Sequence, residues 1–222
     1  MMGLKPIQIH QRVDFALLAL EQIMNNCAKA YFVSNSKHTV PIVIRMIIGR
    51  GWGQGPMHSQ ILDSLFAQIP GLKVIMPTFP KDFKGMILSA IKDRNPVVIL
   101  EHRWLHNIKG DVPKNYYLNN INKIKKINNG HDLTIVANGY NLLEVIELKK
   151  ILKDEKISFD LFDLNILQPL ETNAIINSVK KTGRILVIDS GFKNLGIGSE
   201  IISRISETCM GKLKSKPLRI GL

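Results

Sequence analysis

Short β-branched runs alternate with longer stretches of helical apolar spacing along most of the chain. That alternation restricts the fold more than any other feature of the sequence. Residues 40–48, 71–76, 96–101, 133–137, 158–163 and 184–189 read as strands, with 6–9 as a further short one. Between them, residues 13–32, 58–69, 80–93, 141–154, 170–182 and 198–208 carry apolar side chains at helical spacing. In the first helix Phe15, Leu17, Leu18, Ile23, Cys27 and Tyr31 recur at helical spacing, with Asp14 as its N-cap. Strands that alternate with helices build βαβ units and mainly parallel sheets, so the predicted class is α/β, a parallel-sheet three-layer sandwich.

Residues 104–130 break the rhythm. They hold Pro113, Tyr116, Tyr117 and many Asn and Lys, and read as a domain boundary or long connector. Within them, Lys123, Lys125 and Lys126 beside Asn128, Asn129 and Gly130 read as solvated linker. At 222 residues and 45% hydrophobic, the chain suffices for one large or two small packed domains. No stretch approaches the roughly 20 apolar residues of a membrane span, and no signal-peptide pattern opens the chain. Two cysteines, Cys27 and Cys209, make neither a disulfide framework nor a zinc motif, which fits a reduced, cytoplasmic setting. The net charge of +12 invites a nucleic-acid reading. Lys rather than Arg carries that charge, alongside abundant Ile and Asn. Compositional bias explains this better than a phosphate-reading surface, so no nucleic-acid partner is expected.

Few residues promise chemistry by their own pattern. Gly49, Gly51, Gly53 and Gly55 lie between a strand and a helix, where α/β proteins hold ligands. Their spacing matches neither a dinucleotide fingerprint nor a P-loop. The loop is either a tight mobile connection or bare backbone that lets a large group approach. His58 follows it, at the carboxyl end of a predicted parallel strand; an imidazole there suits proton transfer near neutrality or simply packs the helix start. His102 and His106 stand four apart beside Glu101 but lack a metalloprotease pattern and a third ligand. Residues 196–200 read as a close-packed strand-to-helix turn, and Asp160 and Asp163 as surface or loop carboxylates.

Several phrases, taken in order, resemble one family. They are Val40-Pro41-Ile42-Val43-Ile44-Arg45 before the glycine loop, His58-Ser59-Gln60, Ile69-Pro70-Gly71-Leu72-Lys73-Val74 and Ser89-Ala90-Ile91-Lys92-Asp93-Arg94-Asn95-Pro96-Val97. Leu167-Gln168-Pro169-Leu170, Lys180-Lys181-Thr182-Gly183-Arg184 and Gly196-Ile197-Gly198-Ser199-Glu200-Ile201 follow. Together they resemble the beta subunit of the thiamine-diphosphate-dependent 2-oxoacid dehydrogenases, over almost the whole chain. The resemblance implies a partial transketolase-like pyrimidine-binding domain over residues 1–115, a linker over 116–131, and a transketolase C-terminal domain over 132–222 that is incomplete at its end.

It also implies a function and a site. The family decarboxylates pyruvate or a related 2-oxoacid oxidatively and passes the acyl group to lipoamide. It works as a heterotetramer of two alpha and two beta chains that delivers to a dihydrolipoyl acyltransferase. By resemblance, the alpha subunit holds the diphosphate and magnesium, and the beta chain faces the aminopyrimidine. Phe15 matches the aromatic that stacks on that ring, and His58 the catalytic histidine facing the thiazolium and the lipoyl group. Ile42, Ala90, Ile91, Asp93 and Asn95 match a potassium site built mainly of main-chain carbonyls.

Departures are equally specific. The family's segment with a glutamate that bonds the aminopyrimidine precedes the phrase with which this chain opens, and family members continue beyond Leu222. Met57 stands where a polar residue is common, and Asn165 and Gln168 where arginines are common. The expectation is a subunit inactive by itself. The alternatives are a non-catalytic assembly subunit on the same scaffold, or another transketolase-type enzyme.

Overall fold

The computed structural model describes residues 3–222. Among the described residues ten strands occur: β1 (Ile7–His10), β2 (Val43–Ile48), β3 (Lys73–Ile75), β4 (Val97–His102), β5 (Lys125–Asn128), β6 (Leu133–Ala137), β7 (Phe159–Asp163), β8 (Ile166–Gln168), β9 (Ile185–Ile188) and β10 (Leu218–Ile220). The α-helices are α1 (Val13–Ala16), α2 (Ala30–Val33), α3 (Asp63–Ala67), α4 (Pro80–Lys92), α5 (Gly139–Glu147), α6 (Lys149–Asp154), α7 (Asn173–Thr182) and α8 (Ile197–Cys209). The chain forms two compact units, one of Met1–Asn122 with Ile166–Pro169, the other of Lys123–Asn165 with Leu170–Leu222.

The first unit is built on a sheet of order β1-β2-β4-β3-β8, parallel except where β8 runs against β3. β4 lies at its centre and is buried along its whole length, which is why residues 97–100 form a continuous apolar run rather than an alternation, with the buried Glu101 and His102 at the strand's end. Val43, Ile44, Met46 and Ile48 of β2 are sealed beside it. α4 begins with Pro80 in its first turn, where the missing N–H is harmless.

The second unit has the order β10-β9-β6-β7-β5, parallel except that β5 runs against β7. α7 packs on β6 through a polar contact: Thr134 Oγ1 lies 2.7 Å from Ser178 Oγ and 2.8 Å from Thr182 Oγ1. Gly183, in the left-handed region at φ 72°, closes α7. Gly196 caps α8, and a Cβ there would stand 2.1 Å from the carbonyl oxygen of Phe192.

Several expectations need correction. Residues 13–33 are helical but irregular, passing from α1 through a 3-10 turn (Leu17–Ala19) and a π-helical turn (Gln22–Cys27) to α2. The residue in the N-cap position is Arg12; Asp14 lies inside the first turn. The segment turns Val13, Ala16, Ile23 and Ala28 inward, while Leu18 and Phe32 are 92% and 87% exposed. Apolar residues occupy both faces of the segment, so Phe15, Leu17, Leu18 and Tyr31 remain exposed while Ile23 is buried. No helix starts at His58: a 3-10 turn (Pro56–His58) precedes a loop, and α3 begins at Asp63.

The lysine segment is exposed, as expected, but part of it is a strand rather than linker. Lys125 and Lys126 lie on β5, and Lys126 reaches the buried Asp160. Asp160 and Asp163 are fully buried on β7 rather than superficial. The strands β8 and β10 were not anticipated, being too short to carry a periodic signal. No helix among the described residues is long and apolar enough to cross a membrane.

Candidate functional site

The sequence places Phe15 and His58 far apart; the fold of the first unit brings them into contact. Their ring centroids are 5.1 Å apart at an interplanar angle of 73°, an edge-to-face arrangement. Phe15 is 48% exposed, so its ring offers surface beyond this contact. His58 is partly exposed, and neither of its ring nitrogens has a hydrogen-bond partner among the described residues. Such an imidazole has a nitrogen free to accept or donate a proton to an incoming group.

Each ring comes from a different element. Phe15 projects from α1, which begins directly after the edge strand β1. His58 ends the turn that follows the glycine loop. Gly49, Gly51, Gly53 and Gly55 all lie at positive φ, between 72° and 113°. At Gly49 the constraint is also steric: a Cβ would come 2.9 Å from the Trp52 ring and 3.0 Å from His102 Nε2. Trp104 Nε1 donates to the Arg50 carbonyl at 2.9 Å, pinning the start of the loop.

Beyond the β4 strand end lies a cavity of about 460 Å³ with Arg45, Phe83, Glu101 and His106 in its walls. Arg45 donates from Nε and Nη2 to the two carboxylate oxygens of Glu101, at 2.6 and 2.9 Å. Its guanidinium carbon lies 5.3 Å from the Phe83 ring centroid. The hydrogen bond to Glu101 pushes the Arg45 pKa up against the opposing effect of burial. His102 accepts a long bond from the Trp104 backbone N–H on Nδ1, while Arg103 Nη1 lies 3.2 Å from His106 Nδ1. Burial, aided by the charges of His106 and Arg50, pushes His102 down to about 4. The two imidazoles thus have separate partners. Among the described residues, no group of three or more His, Cys, Asp or Glu side chains is arranged to hold a metal ion.

The residues matched to a potassium site gather at the turn after α4. The Ile42 carbonyl accepts from Val97 N–H at 2.9 Å and that of Ala90 from Asp93 N–H at 3.2 Å. The Asp93 carboxylate is engaged by Lys73 Nζ at 2.5 Å and by Asn95 N and Nδ2 at 2.9 and 3.0 Å. Burial alone would raise this carboxyl, but the bonds from Lys73 and Asn95 outweigh it and hold it below the usual range. Ile91 lies on α4 beside Ala90.

Sequence reasoning gave no site role to Arg12, Asp14 or Trp52, although Arg12 reaches the Gly49 carbonyl, Asp14 the Gln60 N–H and Trp52 lies under Arg12. Only their closeness to Phe15 or membership of the glycine loop marks them.

Comparison with known proteins agrees with this architecture. Residues 1–108 match the pyrimidine binding domain of transketolase and residues 122–222 its C-terminal domain. The chain is 37% identical over 219 residues to the pyruvate dehydrogenase E1 component subunit beta of Porphyra purpurea, covering 99% of this chain and 66% of that protein. It is 35% identical over 222 residues to the 2-oxoisovalerate dehydrogenase subunit beta of Bacillus subtilis strain 168, covering 100% and 68%. With the beta subunit of the acetoin:2,6-dichlorophenolindophenol oxidoreductase of Cupriavidus necator it shares 34% over 213 residues, covering 96% and 63%. A solved split-gene transketolase, described as an inactive beta4 tetramer, superposes with a TM-score of 0.76 at 21% identity, over 100% of this chain and 67% of the other, and supports the fold. The chain spans about two thirds of the length of these relatives. With this coverage and identity, the chain belongs to the family of E1 beta subunits of the 2-oxoacid dehydrogenases.

Proposed function

We propose that this chain supplies the aminopyrimidine side of a thiamine-diphosphate site in a 2-oxoacid dehydrogenase, completed by an alpha subunit that holds the diphosphate and magnesium. The contact of Phe15 with His58 supports this reading most directly. A half-exposed ring with an unpartnered imidazole at its edge fits a flat heteroaromatic group. When bound, the thiamine group supplies the electron sink for decarboxylation. Phe15 orients the pyrimidine by stacking, and an imidazole nitrogen of His58 holds or moves one proton while the acyl group passes to lipoamide on the acyltransferase. Pyruvate or a small relative is the expected 2-oxoacid. A potassium ion on the carbonyls of Ile42, Ala90, Ile91, Asp93 and Asn95 braces the turn before β4.

The test is co-expression with a partner alpha subunit and assay of thiamine-dependent decarboxylation. The reading expects activity in the complex, none from this chain alone, and loss of most activity in His58→Gln. A complex that forms and binds the coenzyme, yet is unaffected by His58→Gln, contradicts it. A second reading, a non-catalytic assembly subunit with a second beta chain as partner, draws on the exposed Leu18, Phe32 and Val33. It expects a stable complex with no coenzyme binding at all.

A further inference from the structure

The 49–60 loop carries His58 but has little structure of its own. Its interior backbone bond runs from His58 N–H to the Gly55 carbonyl at 3.3 Å. The position of the imidazole is therefore set largely at the neck of the loop, where Gly49 N–H donates to the Gln60 carbonyl at 3.3 Å. Both sides of that neck are gripped by the segment that carries Phe15. Arg12 Nη2 donates to the Gly49 carbonyl at 3.1 Å. Asp14 Oδ1 accepts from the Gln60 backbone N–H at 3.3 Å. The guanidinium of Arg12 also lies 4.6 Å from the ring centroid of Trp52, inside the loop.

The two side chains are almost buried, at 9% and 4% exposure, with Arg12 Nε and Asp14 Oδ2 3.8 Å apart. That distance is an electrostatic contact rather than a hydrogen bond. Burying two charges so that each is spent on one backbone group at a loop neck is costly unless the pair is held together. Val13, between them, is fully sealed, so this stretch cannot swing freely.

We propose that Arg12 and Asp14 are positioning residues that clamp the neck of the 49–60 loop to α1 and thereby fix His58 against Phe15. The proposal rests on the reading of those two rings as the coenzyme site, but the clamp itself is measurable without it. Asp14→Asn keeps an acceptor in place of Oδ1 but loses the charge beside Arg12, so it should loosen the clamp less than Asp14→Ala, which removes both. Arg12→Gln removes both the stacking and the charge.

The test uses the full chain with Trp104 retained, because its bond to the Arg50 carbonyl also holds the loop; Trp52 emission is isolated by difference against Trp52→Phe, and the His58 ring resonances are assigned through His58→Gln. Asp14→Ala and Arg12→Gln should red-shift Trp52 emission and move the His58 resonances, while Asp14→Asn should change both less. In the complex with the alpha subunit, the two disruptive variants should lower kcat by about tenfold or more with KM for the 2-oxoacid little changed, as a small misplacement of a reacting group does. Should Asp14→Ala prove too unstable to study, Arg12→Gln against Asp14→Asn carries the comparison. Unchanged Trp52 and His58 signals in folded Asp14→Ala and Arg12→Gln overturn the clamp. Shifted signals with unchanged kcat, in a complex where Phe15→Ala and His58→Gln do lower kcat, overturn its positioning role. Shifted signals where Phe15→Ala and His58→Gln also leave kcat unchanged support the clamp and refute the coenzyme-site reading instead.

Discussion

Lys126 Nζ stands 2.8 Å from Asp160 Oδ1, across the antiparallel pair β5 and β7. Lys181 Nζ reaches the other oxygen of the same carboxylate at 2.8 Å, and Ser178 Oγ and the Gly130 N–H also donate to it. A carboxylate with no exposed surface and four donors is a structural node. Burial alone would raise its pKa, but the two lysines, Ser178 and Gly130 hold it well below the usual carboxylate range. Asp160→Asn should lower stability by about 2 kcal/mol, less than for a fully sealed pair because both lysines can still reach water. The urea midpoint at pH 7 measures this. Because the folded pKa is depressed, the stabilisation is present above the unfolded pKa of about 4 and fades below it. The variant and the unsubstituted chain should therefore converge in acid.

His102 gives a second, higher acid window. Its folded pKa of about 4 lies below the unfolded value of 6.5. Between these values the unfolded state binds more protons, so stability should fall as pH drops from 6.5 to 4, by on the order of 2–3 kcal/mol. In His102→Asn that slope should flatten. An unchanged slope in the variant would place the acid sensitivity elsewhere.

How far residues alone could lead is clear at particular places. Strand β6 and the long helices α4 and α8 fall close to their predicted limits, because one strong period governs each. β5 was hidden because Lys125 and Lys126 read as solvent-facing, although Lys126 is committed to Asp160 across the sheet. Asp160 itself could not be recognised as buried, since its partners are distant in sequence. Phe15 and His58 were matched through resemblance; no spacing rule joins an aromatic in a helix to a histidine after a glycine loop. Asp14 reads from the sequence as a helix N-cap and Arg12 carries no signal, because a clamp on a backbone carbonyl and an N–H leaves no motif.

The outer face of the 13–33 segment predicts association. Leu18, Phe32 and Val33 are 92%, 87% and 77% exposed, and such surface drives subunit contact. The isolated chain should sediment as an oligomer, and Phe32→Glu should shift it toward monomer with its thermal midpoint unchanged. A monomer in both cases would mean that this face has no partner of its own kind.

Potassium bound at the turn after α4 should raise the thermal midpoint by a few degrees over sodium at equal ionic strength, by mass action on the folded state. Equal midpoints in the two salts would contradict the carbonyl site.

Coenzyme affinity in the reconstituted complex bears most directly on the pairing of Phe15 with His58. Phe15→Ala should weaken thiamine diphosphate binding about tenfold, as loss of one stacking contact with its buried area does, while Phe15→Trp should largely preserve it. An unaltered dissociation constant in Phe15→Ala would show that the ring beside His58 does not face the coenzyme.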